Sequence, residues 1–146
     1  MRPYQNYQKI SISTADPVRI IVLLYEGAIQ NLNQTARLFG KDNQTASAKL
    51  TRTLEIINYL CTALDHEKGG EIAFNLERLY DYMRDLLAEA NTKRDTAKVQ
   101  EVIKLLQTLL DGWRGIVSNQ TTESDSHSSD APSAPPAQPS SLSMVG

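Results

Sequence analysis

The residues best equipped for chemistry crowd into one short stretch, where Asp65, His66 and Glu67 stand side by side and Gly69-Gly70 follows. An imidazole between two carboxylates could hold a metal or relay a proton. On a helix, however, successive residues point about 100° apart, so these three cannot converge on one ion unaided. The di-metal sites of helical proteins need Glu-x-x-His pairs on two helices, and the sequence contains none. Paired glycines ahead of a helix suggest a phosphate-binding loop, yet the preceding strand and the Gly-Lys-Ser/Thr ending are both missing. The single cysteine, Cys61, cannot close an internal disulfide, and neither His66 nor His127 is placed by any motif to activate it. It falls in an apolar stripe and reads as a small core residue. No nucleophile and base pair up elsewhere. The chain is therefore read as a non-enzyme, with no catalytic residue, no metal site and no cofactor.

The elements that would carry these residues have helical periodicity, with apolar positions spaced three and four apart. The first helix is expected over residues 17–39, with Asp16 as N-cap, Pro17 in the first turn, the stripe Ile21, Tyr25, Ala28, Leu32, Thr35 and Phe39, and Gly40 as terminator. The second, 43–67, is capped by Asp42 or Asn43 and carries Ala46, Leu50, Leu54, Ile57, Cys61 and Leu64. It is expected to stop before Gly69-Gly70, each glycine costing about 1 kcal/mol inside a helix. The third, 70–90, presents Ile72, Leu76, Leu79, Met83, Leu86 and Ala90, with Asn91 ending it. The fourth, 96–117, starts from Asp95 and presents Val99, Val102, Leu106, Leu109, Trp113 and Ile116. Short links between helices of roughly 30 Å force each antiparallel to the next. The expected fold is all-α, an up-down-up-down four-helix bundle over residues 16–117. Residues 1–15 are apolar enough to dock on it, whereas the Ser/Pro-rich residues 118–146 bury too little to offset ordering and are expected to be disordered.

Composition narrows the function further. The 146 residues carry a formal charge of -2, and residues 1–117 hold all 15 Lys and Arg with 14 of the 17 acidic residues, so charge is mixed along the bundle. Nucleic-acid binding would need a basic face. The longest apolar run, Ile20–Tyr25, cannot span a bilayer, and the N-terminus lacks a signal-peptide run. A cytosolic protein without membrane insertion is expected. What exceeds the needs of a bundle is apolar width. On the third helix, Tyr80 and Tyr82 fall near the two edges of an arc of about 180°, against the roughly 100° that one core face requires. On the first, Val18 and Ile20 to Leu24 surround the opening turns. Residues 1–15 could supply all the cover, or grooves between helices could accept an apolar segment of another protein.

Two motifs bear on this choice. Residues 64–83 contain Leu64-Asp65, then Gly69-Gly70-Glu71-Ile72-Ala73, Asn75-Leu76, Leu79-Tyr80 and Tyr82-Met83. Upstream stand Thr14-Ala15-Asp16-Pro17 and Leu24-Tyr25-Glu26-Gly27-Ala28-Ile29, and downstream Glu89-Ala90-Asn91, Asp95 and Trp113. In this order the motifs resemble the flagellar secretion chaperone family, FliS, over residues 4–117. Asp16 and Glu26 depart from the family's Ser and Asp but keep capping and charge. The resemblance implies a flagellin export chaperone. Such a protein binds the disordered C-terminal segment of flagellin, prevents premature polymerisation and aids delivery to the flagellar type III export apparatus. It further implies that Tyr4, Tyr7, Ile10 and Ile12, with Leu24, Tyr25 and Ile29 on the first helix and Tyr80 and Tyr82 on the third, bind client or cover its groove. A flagellar assembly regulator as second partner and a homodimer are left open. The alternative reading is a helical bundle that associates with itself and has no flagellin client.

Overall fold

The computed structural model describes residues 17–126, with side chains through Ser118. Four helices follow in order: α1 (Pro17–Leu38), α2 (Asn43–Thr62), α3 (His66–Lys93) and α4 (Thr96–Ser126). No strand occurs among the described residues. Helix α1 packs on α2 and α4, and α3 packs on the same two from the opposite corner. Connections this short allow only antiparallel neighbours, and the expected four-helix bundle is what forms.

Local chemistry sets most boundaries. Asp42, not Asn43, caps α2, its Oδ1 accepting the Thr45 N–H at 3.1 Å, while the Asn43 side chain accepts the Gly40 N–H at 2.7 Å. Gly40 sits at φ 88, a left-handed angle that closes α1 without a Cβ clash. Asp95 caps α4 by accepting the Lys98 N–H. Helix α3 passes Asn91 and ends at Arg94, which adopts the left-handed conformation at φ 55, so Asn91 is not the terminator. Its amide oxygen instead accepts a bond from the Ser47 hydroxyl at 2.6 Å, tying α3 to α2.

Two boundaries differ more. The reversal between α2 and α3 occurs at Ala63–Asp65, ahead of the glycines. Asp65 then caps a single turn by accepting the Lys68 N–H at 3.0 Å, and Gly70, at φ 54 and ψ -127, kinks the chain into the long part of α3. The glycine pair is therefore a bend inside α3 and not the link between helices. Helix α4 also continues to Ser126, nine residues beyond the expected end at 117. The stretch from Ser118 to Ser126 has no glycine or proline to stop it. Of the expected tail, 118–126 is helix and 127–146 lies outside the described residues, as do Asp16 and the expected docking segment 1–15.

The core is one continuous cluster drawn from all four helices. At its centre the hydroxyls of Tyr25 on α1 and Tyr80 on α3 are 2.6 Å apart, and the Tyr25 ring lies 6.5 Å from that of Trp113 on α4. Thr35 and Thr53, the two buried polar side chains among the described residues, satisfy their hydroxyls on backbone carbonyls of Ala46 and Ala28 respectively.

Candidate functional site

The residues that could have done chemistry do not assemble a reactive centre. His66 Nε2 lies 3.0 Å from Glu77 Oε1, pinning the single turn before Gly70 back onto α3, and both side chains are about half exposed. Asp65 is occupied as a cap. Cys61 is half-buried rather than buried, its Sγ 3.7 Å from Arg84 Nη2, and Arg84 also holds Asn58 and Asp81. Among the described residues no three His, Cys, Asp or Glu side chains are grouped to hold a metal ion.

What the bundle does present is a trough along the seam of α1 and α4, the two helices running antiparallel so that the start of α1 meets the region of Val117. The trough has two compartments. The upper one, about 360 Å³, is floored by Val22, Leu23 and Val117 and edged by Arg19. The lower one, about 470 Å³, has Ile29 and Leu110 as its floor and Asn33, Gln107 and Asp111 on its walls. Glu26 and Arg114 line both. Their side chains meet at 2.6 Å across the seam and form a bar between the compartments. Leu23 is 52 % exposed although α1 is otherwise well packed. An apolar residue held open at a concave surface loses the favourable burial it would have in a core, on the order of 1.5–3 kcal/mol for a leucine, and regains it when something covers the trough.

A second open strip follows the seam of α3 and α4. Tyr82 is 46 % exposed, and its hydroxyl donates to Glu101 Oε2 at 2.5 Å, bridging the two helices. The Glu101 carboxylate beside it holds the Tyr82 phenol above its ordinary pKa. Ile72 on the same helix is also exposed.

The nine residues expected to bind or cover divide sharply. Tyr4, Tyr7, Ile10 and Ile12 lie outside the described residues. Ile29 is on the floor of the lower compartment, and Tyr82 is open to solvent. Leu24 is half-buried against the core and lines neither compartment. Tyr25 and Tyr80 present no surface of their own: both are buried in the core, and neither lines either compartment. The third helix turns its face toward Ala73, Tyr80 and Leu87 instead of toward Ile72, which leaves Ile72 outside and draws Tyr80 to the centre. Burial raises the pKa of both phenols, and the hydroxyl pair lets them enter a core that would reject either one unpartnered. The trough residues missed by sequence reasoning are Val22, Leu23, Glu26, Leu110, Arg114 and Val117. Only the crowding of apolar residues over Ile20–Leu24 hinted at them.

A family model described as flagellar protein FliS matches residues 1–120. The chain belongs to the FliS family. Among its FliS relatives, the flagellar secretion chaperone FliSB of Pseudomonas aeruginosa is 40% identical over 121 residues, spanning 80% of this chain and 96% of the relative. The flagellar secretion chaperone FliS of Salmonella typhimurium is 38% identical over 109 residues, 73% of this chain and 80% of that one. A crystal structure of a flagellar chaperone from bacteria superposes with a TM-score of 0.67 at 23% identity, covering 82% of this chain and 98% of its own, and shares the helical-bundle fold. The FliS match ends inside α4, six residues before Ser126. No described helix of this FliS chain is long and apolar enough to cross a membrane.

Proposed function

We propose that this FliS-family chain is a cytosolic export chaperone. In this reading it lays the disordered C-terminal segment of newly made flagellin along the α1–α4 trough, hides the segment's apolar side from other flagellin subunits, and hands the complex to the flagellar type III export apparatus. The observation that carries the reading is the apolar-floored trough holding Leu23 open to solvent. A client of this kind pays about 2–5 kcal/mol to become ordered, which a long apolar contact offsets and a single pocket does not. Residues 1–15, with Tyr4, Tyr7, Ile10 and Ile12, act as a displaceable cover; they join α1 at Pro17, two residues before the trough begins at Arg19. Tyr82 and Ile72 extend the contact onto the α3–α4 seam. Isothermal calorimetry of the full chain with a peptide of the flagellin C-terminus from the same organism tests the proposal. Binding at micromolar concentration is expected, and no heat or displacement at that concentration would refute it. The self-associating bundle without a client is disfavoured by the FliS match over residues 1–120. Sedimentation with and without peptide distinguishes it, because a dimer that peptide cannot dissociate would support that alternative.

A further inference from the structure

Helix α4 carries two glycines that its packing does not require. At Gly112 and Gly115 nothing stands within 4 Å of where a Cβ would lie, and neither takes a left-handed backbone angle. Alanine would fit at both and favour the helix, so each glycine weakens α4 with nothing gained in packing. The two bracket the residues that fasten this end of α4 to the bundle. Trp113 is buried with its ring 6.5 Å from that of Tyr25, and Arg114 reaches Glu26 on α1 at 2.6 Å. Ahead of them Val102, Ile103, Leu106 and Leu110 sit in the core. Beyond them the hold thins: Ile116 and Val117 are half-buried against the core, and Ser118 to Ser126 contains no apolar residue. That last stretch is mostly Ser, Thr, Asn and Asp, which are poor helix formers. Its final turn brings Glu123 and Asp125, with no cation, to the negative end of the helix dipole.

We propose that α4 is hinged across Gly112 and Gly115, with Trp113 as the anchor of the fixed side and the Glu26–Arg114 pair as a latch, and that the helix beyond Gly115 is a flap forming one wall of the upper trough compartment. Val117 and Ser118 line that compartment together with Arg19, Val22 and Leu23 of α1. Opening breaks the helical bonds that span the glycines, those donated by the amides of Gly115 to Ser118. The wall then swings from α1, and the bar between the two compartments is withdrawn with it. The latch is a suitable release point, because both of its side chains are about half exposed and salt and water compete for such a pair. Helix α1 is the fixed partner, its first turns held in the core by Val18, Ile21 and Tyr25. Local opening is drawn from segments with few buried contacts, and on α4 that description begins at Gly115. The device governs entry to the trough and does not depend on what enters.

Amide hydrogen exchange of the full chain, followed residue by residue by NMR, tests the hinge without any client. The amides of Gly115 to Ser118 should be at least about tenfold less protected than those of Val102 to Leu110, with a step at Gly115. Gly115→Ala should slow their exchange about two- to fivefold, the gain in helix propensity. Glu26→Gln should speed it by about the same factor, the worth of an exposed ion pair, and salt at about 1 M should do likewise in the parent but not in that variant. Thr108→Ala, a helix-favouring change on the fixed side, should leave these amides unmoved. Equal protection on both sides of Gly115 overturns the proposal, and so does a gradual rise toward Ser126, which is simple fraying. It also fails if Glu26→Gln accelerates exchange along the whole of α4, or if Thr108→Ala acts on the amides of Gly115 to Ser118 as Gly115→Ala does.

Discussion

Replacing Tyr25 and Tyr80 by phenylalanine, singly and together, probes the centre of the bundle. Their hydroxyls are 2.6 Å apart between helices 55 residues distant in sequence, and both side chains are essentially inaccessible to water. Tyr25→Phe leaves the Tyr80 hydroxyl with no partner among the described residues, and a buried hydroxyl without one costs about 1–3 kcal/mol. Tyr80→Phe likewise removes the bond recorded for the Tyr25 hydroxyl and leaves that group buried beside the Trp113 ring. A loss in the same range, about 1–3 kcal/mol, is expected. The double variant removes both polar atoms and leaves two rings of nearly the same shape, which is close to neutral, within about 1 kcal/mol. The cycle should therefore show a coupling of about 1–3 kcal/mol between the two positions. Urea unfolding read by circular dichroism measures it, and unchanged m values show that only stability has moved. Domains of this kind have about 5–15 kcal/mol in hand, so all three variants remain folded. Coupling below about 0.5 kcal/mol, the ordinary error of additivity, would refute the claim that these hydroxyls enter the core only as a pair.

The same pair predicts alkaline behaviour: both folded-state pKa values are raised above the ordinary 10.0 by burial, so above pH 10 the unfolded chain sheds these protons first and stability falls, by up to about 1.4 kcal/mol per pH unit for each group. Tyrosinate absorbance followed against pH should show the two ionising only with unfolding, and the double phenylalanine variant should lose that part of the slope. Gly70→Ala should destabilise the fold by about 1–3 kcal/mol, since φ 54 with ψ -127 is a conformation that costs any residue with a Cβ; thermal unfolding would show it, and an unchanged Tm would mean the kink relaxes. Leu23→Asp should leave the unfolding free energy within about 0.5 kcal/mol of the parent, as surface changes do, while weakening flagellin-peptide binding at least tenfold in calorimetry. Deleting residues 127–146 should leave thermal unfolding unchanged, the segment having little apolar surface to contribute to a core; a clear fall in Tm would show that the tail docks.

The bundle was legible because its evidence is local. Gly40 and Asp95, both fixed by backbone chemistry within three or four residues, act as read, and the apolar spacing alone identified four helices. The errors share a different cause. Where a helix faces is decided by its neighbours, and a helical wheel has no neighbours in it. On α2 the buried face passes through Thr53 and Leu60, with Leu54 and Cys61 left half-buried. Thr53 can be there because its hydroxyl reaches the Ala28 carbonyl on α1. On α4 it passes through Ile103 and Leu110 in place of Leu109.

Tyr80 shows most clearly why the site was harder to read than the fold. The helical arc placed it at an edge, where its hydroxyl would reach water and avoid the cost of a lone buried phenol, and that inference is sound for any helix considered alone. It fails because Tyr25 brings a second hydroxyl from 55 residues away, and two costly groups become one satisfied pair. The same burial that takes Tyr80 out of the surface leaves Ile72 and Tyr82 in it. The trough is the converse case. Leu23 and Val22 are ordinary apolar residues of α1, and nothing in their own turn distinguishes them from Ile21, which is buried. They become a site only because α4 supplies Val117 and Leu110 opposite them and Arg114 to meet Glu26 across 88 positions of sequence. A surplus of apolar surface is readable from sequence; which part of it the core absorbs depends on pairings between helices, and the remainder is what a partner can use.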